Sequence, residues 1–87
     1  MTSLHRLERI SRARNLALTG EARAIREAAG LSLAELADEL GVTPSCVLLW
    51  ETGKRSPRAE NAVRYAQLLS RLRRQVAARE RTNVVTS

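Results

Sequence analysis

An all-α fold is what this chain predicts, and three observations carry the prediction. Hydrophobic residues make up 44% of its 87 residues, yet there is no Phe, one Trp and one Tyr, so the core must be aliphatic, built from Leu, Val, Ile and Ala. Ala and Leu are abundant while β-branched runs are scarce, which favours helix over strand. Apolar residues also recur at helical spacing, interrupted by glycines. A chain of 87 residues allows one domain with a modest core, and five or six helices are expected in it.

Taken in order, Ser3 to about Leu18 is a first helix, with Leu4, Leu7, Ile10, Ala13 and Ala17 spread broadly around it. Thr19-Gly20 breaks it, and Glu21 to Ala29 forms a second helix ended by Gly30. Ser32-Leu-Ala-Glu35 opens the third: Ser32 is the N-cap and Glu35 reaches back from N3, so two otherwise unpaired N–H groups gain acceptors. Leu33, Leu36, Ala37 and Leu40 then form one apolar stripe. Gly41 falls where the chain must turn sharply and take positive φ at little cost. Thr43-Pro44 starts a fourth helix, roughly Pro44 to Thr52, with proline at the position where its missing N–H costs nothing. Val47, Trp50 and Glu51 follow, and Gly53 closes the segment.

Gly53 to Pro57 is a loop in which Ser56 caps the last helix and Pro57 takes its first position. From Arg58 the pattern stays helical to about Arg81. Within it Ala62, Tyr65, Leu69, Leu72 and Val76 alternate by three and four, a heptad rhythm too short to establish a coiled coil. Thr82 to Ser87 is expected to fray, with Val84-Val85 alternatively adding a short strand to a partner. The expected organisation is therefore an accessory helix over 1–20, a central domain over 21–70, and a helical extension with a tail over 71–87.

The segment from Leu31 to Pro57, two short helices hinged on one glycine, is a helix-turn-helix signature. Arg26, Gly30-Leu31-Ser32, Glu35-Leu36-Ala37, Leu40-Gly41-Val42-Thr43, Val47, Trp50-Glu51, Gly53 and Pro57 together resemble the DNA-binding domain of Cro and phage-repressor (Xre-type) regulators. With its flanking helices the resemblance spans about Glu21 to Leu69. It implies a repressor-like five-helix domain, here with an extra N-terminal helix and an extended C-terminal one. It also implies a partly buried structural ion pair between Arg26 and Glu51.

By the same resemblance Thr43, Pro44, Ser45, Leu48 and Leu49 would approach base edges. Ser32, Leu33, Lys54, Arg55 and Arg58 would hold phosphates. The chain departs from the family pattern in three places. Polar or charged residues are usual where Leu48 and Leu49 stand, and many members carry Gln in place of Leu33. Those leucines could instead pack on added structure or form a protein-binding patch. Leu69, Leu72 and Val76 are candidate dimer contacts, with packing inside the chain as the alternative, for Leu69 above all. The partner expected is double-stranded DNA, a pseudo-palindromic operator read by a homodimer, because one small reader spans only a half-site.

Charge is distributed unevenly. Residues 1–26 hold six arginines against Glu8 and Glu21, while residues 27–53 hold five acids and no Lys or Arg. Residues 54–87 hold nine cations against Glu60 and Glu80, giving the whole chain +6. Attraction to phosphate must therefore come from the flanks. Arg6, Arg9, Arg12 and Arg14 could track a groove or backbone, or simply be a solvated face. Arg71, Arg73, Arg74, Arg79 and Arg81 would flank a dimer helix or reach the backbone.

An enzyme is not indicated. No paired carboxylates, catalytic triad, metal-ligand cluster or phosphate-cradling loop is present, and His5 and Cys46 stand far apart. No cofactor and no small-molecule ligand is called for. No stretch is apolar enough to span a bilayer, no signal peptide is evident, and a lone Cys excludes a disulfide framework, which suits a cytoplasmic protein. The expected function is a transcriptional regulator acting by operator occupancy. The alternative is a protein-interaction module, such as an antitoxin component.

Overall fold

Glycines in the left-handed region and polar caps divide the chain into five helices. The structure, a computed structural model, describes the backbone of residues 3–86 and the side chains of residues 3–81. The helices are α1 Leu4–Thr19, α2 Glu21–Ala28, α3 Leu33–Leu40, α4 Pro44–Glu51 and α5 Ala59–Thr86. α1, α3 and α4 begin at the polar caps expected of them, whereas α5 starts at Ala59, with the Arg58 carbonyl accepting from the Ala62 N–H, so Ser56 and Pro57 lie in the loop before it and do not cap it or open it. Ser3 Oγ accepts from the Arg6 N–H at 3.2 Å, and Thr43 Oγ1 accepts from the Cys46 N–H at 3.2 Å. At α3 the capping box closes on both sides: Ser32 Oγ accepts from the Glu35 N–H at 3.0 Å, and Glu35 Oε1 accepts from the Ser32 N–H at 2.9 Å.

The ends of α3 and α4 are alike. At Gly41, φ is 71°, the Val42 N–H reaches the Ala37 carbonyl and the Gly41 N–H reaches the Asp38 carbonyl. At Gly53, φ is 75°, with the Lys54 N–H on Leu49 and the Gly53 N–H on Trp50. Both are Schellman closures, which pair carbonyls the helix end would otherwise leave unmatched.

The last helix runs further than its pattern suggested. It continues to Thr86, so Val84 and Val85 fall in its last turn, and no strand occurs among the described residues. After Pro57 the chain has neither Gly nor Pro, so nothing local stops the helix.

One core joins all five helices. It takes Ile10, Ala13, Leu16 and Ala17 from α1, Ala22 and Ile25 from α2, and Leu36, Ala37 and Leu40 from α3. Val47 and Trp50 come from α4, and Ala62, Tyr65, Ala66, Leu69 and Leu72 from α5. The Trp50 and Tyr65 rings meet at 5.1 Å between centroids, tilted by 40°, a spacing at which aromatic pairs attract. α1 is the first of the five helices rather than a sixth, and it lies mainly against α5. Its Arg14 Nε donates to the Pro57 carbonyl at 3.1 Å, and its Leu18 Cδ1 stands 3.5 Å from where a Cβ on Gly53 would be. The first helix therefore braces the loop after α4.

The far half of α5 is tied to α2. Arg73 Nη2 lies 3.3 Å from Glu21 Oε2, and Arg79 Nη2 donates to the Ala28 carbonyl at 2.8 Å. The second contact sets a cation on the negative end of the α2 dipole. Packing of this kind uses up most of the heptad face. Leu69 is 0% exposed and Leu72 8%, both turned into the domain's own core, whereas Val76 remains half-buried. A side chain with little free surface has little to offer a partner, so of the three candidate dimer contacts Val76 keeps the most.

Candidate nucleic-acid interface

The α3–turn–α4 unit is held from behind by an ion pair. Arg26 Nε donates to Glu51 Oε2 at 2.7 Å and Arg26 Nη2 to Glu51 Oε1 at 3.0 Å. A third nitrogen, Nη1, reaches the Leu31 carbonyl at 2.9 Å. Both residues are buried, at 9% and 8% exposure. The fork-to-fork geometry fixes the rotation of α4 about its own axis, as two parallel charge-assisted bonds permit only one orientation. The Glu51 carboxylate holds the Arg26 guanidinium more firmly protonated than usual, against the opposing cost of burial. Behind the pair, burial and the nearby Glu51 charge push the Tyr65 phenol well above its ordinary value. Its hydroxyl is buried with no hydrogen-bond partner among the described residues.

With Val47, Trp50 and Glu51 turned inward, helical periodicity turns the rest of α4 outward. Thr43, Pro44 and Ser45 are exposed, Leu48 is 47% exposed, and Leu49 is half-buried. Thr43 spends its oxygen as the cap of α4, which leaves its hydroxyl proton for an outside acceptor. At the start of α3, Ser32 is exposed, whereas Leu33 is partly buried and packed on the core. Leu33 thus has an anchoring role that Leu48, lying outside the core contacts, does not.

Lys54, Arg55 and Arg58 are exposed, and none makes an ion pair or side-chain hydrogen bond among the described residues. Their backbone is nonetheless fixed. The Lys54 and Arg55 N–H groups both reach the Leu49 carbonyl, at 3.0 and 3.2 Å. Arg55 and Arg58 line one cleft of about 450 Å³ with Ser56, Asn61, Cys46 and Trp50. The loop cations therefore sit at the C-terminal end of α4, with Arg55 and Arg58 beside Cys46.

Two positioning residues escape a reading of the sequence. Arg64 of α5 donates to the Glu39 carbonyl at 3.4 Å, and its guanidinium stands 3.8 Å from where a Cβ on Gly41 would be. It thereby tethers the end of α3 and the turn to α5. Arg14, on α1, fixes the loop at Pro57. Their partners lie 25 and 43 residues away in sequence, so no local pattern announces either role.

A helix-turn-helix family model matches residues 23–71, more than half of the chain. The chain belongs to the Cro and phage-repressor (Xre-type) helix-turn-helix family. No curated protein and no solved structure matches it. In this Xre-type chain the match begins inside α2 and ends within α5, so α1 and the far half of α5 lie outside the shared domain. Membership implies DNA binding in the service of transcriptional regulation, in a family that is typically non-enzymatic. No helix among the described residues is long and apolar enough to cross a membrane.

Proposed function

We propose that this Xre-type chain binds a pseudo-palindromic operator as a homodimer inside the cell and represses by occupying it. The observation that carries the reading is the outward face of α4, held in one rotation by Arg26 and Glu51 and flanked by the unpartnered cations of the following loop. In this reading the N-terminus of α4 enters the major groove. Thr43 and Ser45 hydrogen-bond base edges or adjacent phosphates, Pro44 lies against the groove wall, and Leu48 and Leu49 meet thymine methyls. Ser32, with Leu33 beneath it, and Lys54, Arg55 and Arg58 hold the backbone and set register without reading sequence. The second protomer is met through Val76, on the part of α5 that also lines a groove with Ala24, Ile25, Ala28 and Ala77.

The test is selection of bound duplexes from a random library at stated salt. Enrichment of an inverted repeat supports both operator reading and two-fold symmetry. A second reading draws on Leu48, whose exposure on the outward face is unusual for a base-reading helix: the chain would chiefly bind another protein, as an antitoxin component does. Recovery of no preferred duplex would favour that second reading.

A further inference from the structure

Arginines in this structure fall into two groups. Arg14, Arg23, Arg26, Arg64, Arg73 and Arg79 each donate to a carboxylate or carbonyl of the chain. Arg9 and Arg12 of α1 and Arg71 and Arg74 of α5 do not. Yet they come together, lining one groove of about 360 Å³ between the two helices, with Gln67 and Ser70 between them. Glu39 lines the adjoining groove beside Arg64 and Arg71. Even so, among the described residues no carboxylate oxygen lies within 4.0 Å of any of the four guanidiniums. Glu8 likewise stands beside Arg12 in a neighbouring groove, yet neither acid pairs with the four, and like charges lining one concavity make it a favourable place for an anion.

We propose that the α1–α5 groove, through Arg9, Arg12, Arg71 and Arg74, binds a compact oligophosphate, that is, two or more linked phosphoryl groups. Guanidinium forks match phosphate oxygens two at a time. Four forks in so small a volume call for several negative charges close together, which linked phosphates supply and single carboxylates do not. Gln67 and Ser70 add neutral hydrogen-bonding groups at the same wall. The volume lies in the range of small-molecule sites. Operator phosphates fit this groove less well: Arg71 stands about 20 Å along the helix from Arg58, away from the loop that flanks α4. The sequence offered no such site because its two halves are some sixty residues apart.

The experiment is isothermal titration of the whole chain, without DNA, at matched ionic strength. The probes are sodium tripolyphosphate, orthophosphate and a nucleoside triphosphate. Tripolyphosphate is expected to bind one to one and to raise the melting temperature, with orthophosphate at least about tenfold weaker because it engages fewer forks. The double variant Arg12→Ala/Arg71→Ala should lose the binding and keep the wild-type melt, since both side chains are exposed. Arg55→Ala/Arg58→Ala should retain it. Equal affinity of nucleotide and tripolyphosphate would place recognition in the phosphates alone, and tighter nucleotide binding would add the nucleoside; either supports the site. The proposal is overturned if orthophosphate binds as tightly, or if the loop pair matters as much as the groove pair. It is also overturned if tripolyphosphate does not bind; a groove variant that then lowers the salt dependence of duplex binding would assign these arginines to DNA. Because no duplex is needed, failure of the operator reading leaves this result interpretable.

Discussion

Glu51 is the position at which one substitution should cost most. Its carboxylate is buried and takes two N–H donors from Arg26. Glu51→Ala leaves the guanidinium stranded, and breaking a buried pair in this way costs about 3–5 kcal/mol. A denaturant or thermal melt should record that loss, and a wild-type melt would refute the pairing. Tyr65 should behave in the opposite sense. Its ring is packed on Trp50, but its hydroxyl is buried without a partner. Tyr65→Phe keeps the shape and removes the unmatched group, so stability should rise by about 1 kcal/mol. A loss of similar size would mean that the hydroxyl is hydrogen-bonded in solution.

At the scale of elements, the ends of the short helices decide their stability, because eight-residue helices are marginal alone. The Ser32–Glu35 box holds the Glu35 carboxyl below its ordinary value of 4.5, the Ser32 backbone bond being the main cause and the Ser32 hydroxyl the second. A carboxyl depressed in the folded state stabilises above the unfolded value and loses that contribution as pH falls through the folded one. The stability gap between wild type and Glu35→Ala should therefore be flat near neutral pH and close progressively below pH 4.5. A gap that persists at low pH would mean the charged carboxylate is not what caps α3. Gly53 gives the parallel test at the other end of the motif. Its added Cβ would meet only Leu18 Cδ1 at 3.5 Å, ordinary contact, so the cost of Gly53→Ala is conformational. About 1 kcal/mol is expected for a positive φ without glycine, together with weaker DNA binding as the loop cations shift. Unchanged stability would rule out the left-handed turn.

Over the whole molecule, charge and packing are divided between different parts of the chain. Residues 27–53, which include the α4 face, carry five acids and no Lys or Arg, whereas the residues on either side carry the positive charge. Affinity and specificity are thus expected to respond to different substitutions. Arg58→Ala should weaken binding to operator and random duplex alike, and lower the slope of log K against log salt by about one. A slope equal to that of wild type would remove Arg58 from the phosphate contacts. The bracing of the loop by α1 bears on the same behaviour, since Arg14 and Leu18 fix the segment that presents these cations.

The sequence by itself determined the helix-turn-helix. Ser32 with Glu35, Gly41, Thr43-Pro44 and Gly53 act through bonds spanning three to five residues, so their consequences can be read locally. The bounds of α3 follow from them directly, and those of α4 to within one residue. The Arg26–Glu51 pairing was legible only through resemblance to a family, because its partners are 25 residues apart. Tertiary structure alone decided which partner each apolar face would take. The heptad rhythm of α5 was plain in sequence, but periodicity states that a face is apolar, not what covers it. α1 and α2 cover it here, which turns Leu69 and Leu72 inward and leaves Val76 at the edge. The same docking of α1 on α5 gathers Arg9 and Arg12 with Arg71 and Arg74. Caps and turns are local chemistry and travel with the sequence; the choice of neighbour is a competition among all apolar faces, settled only when the chain packs.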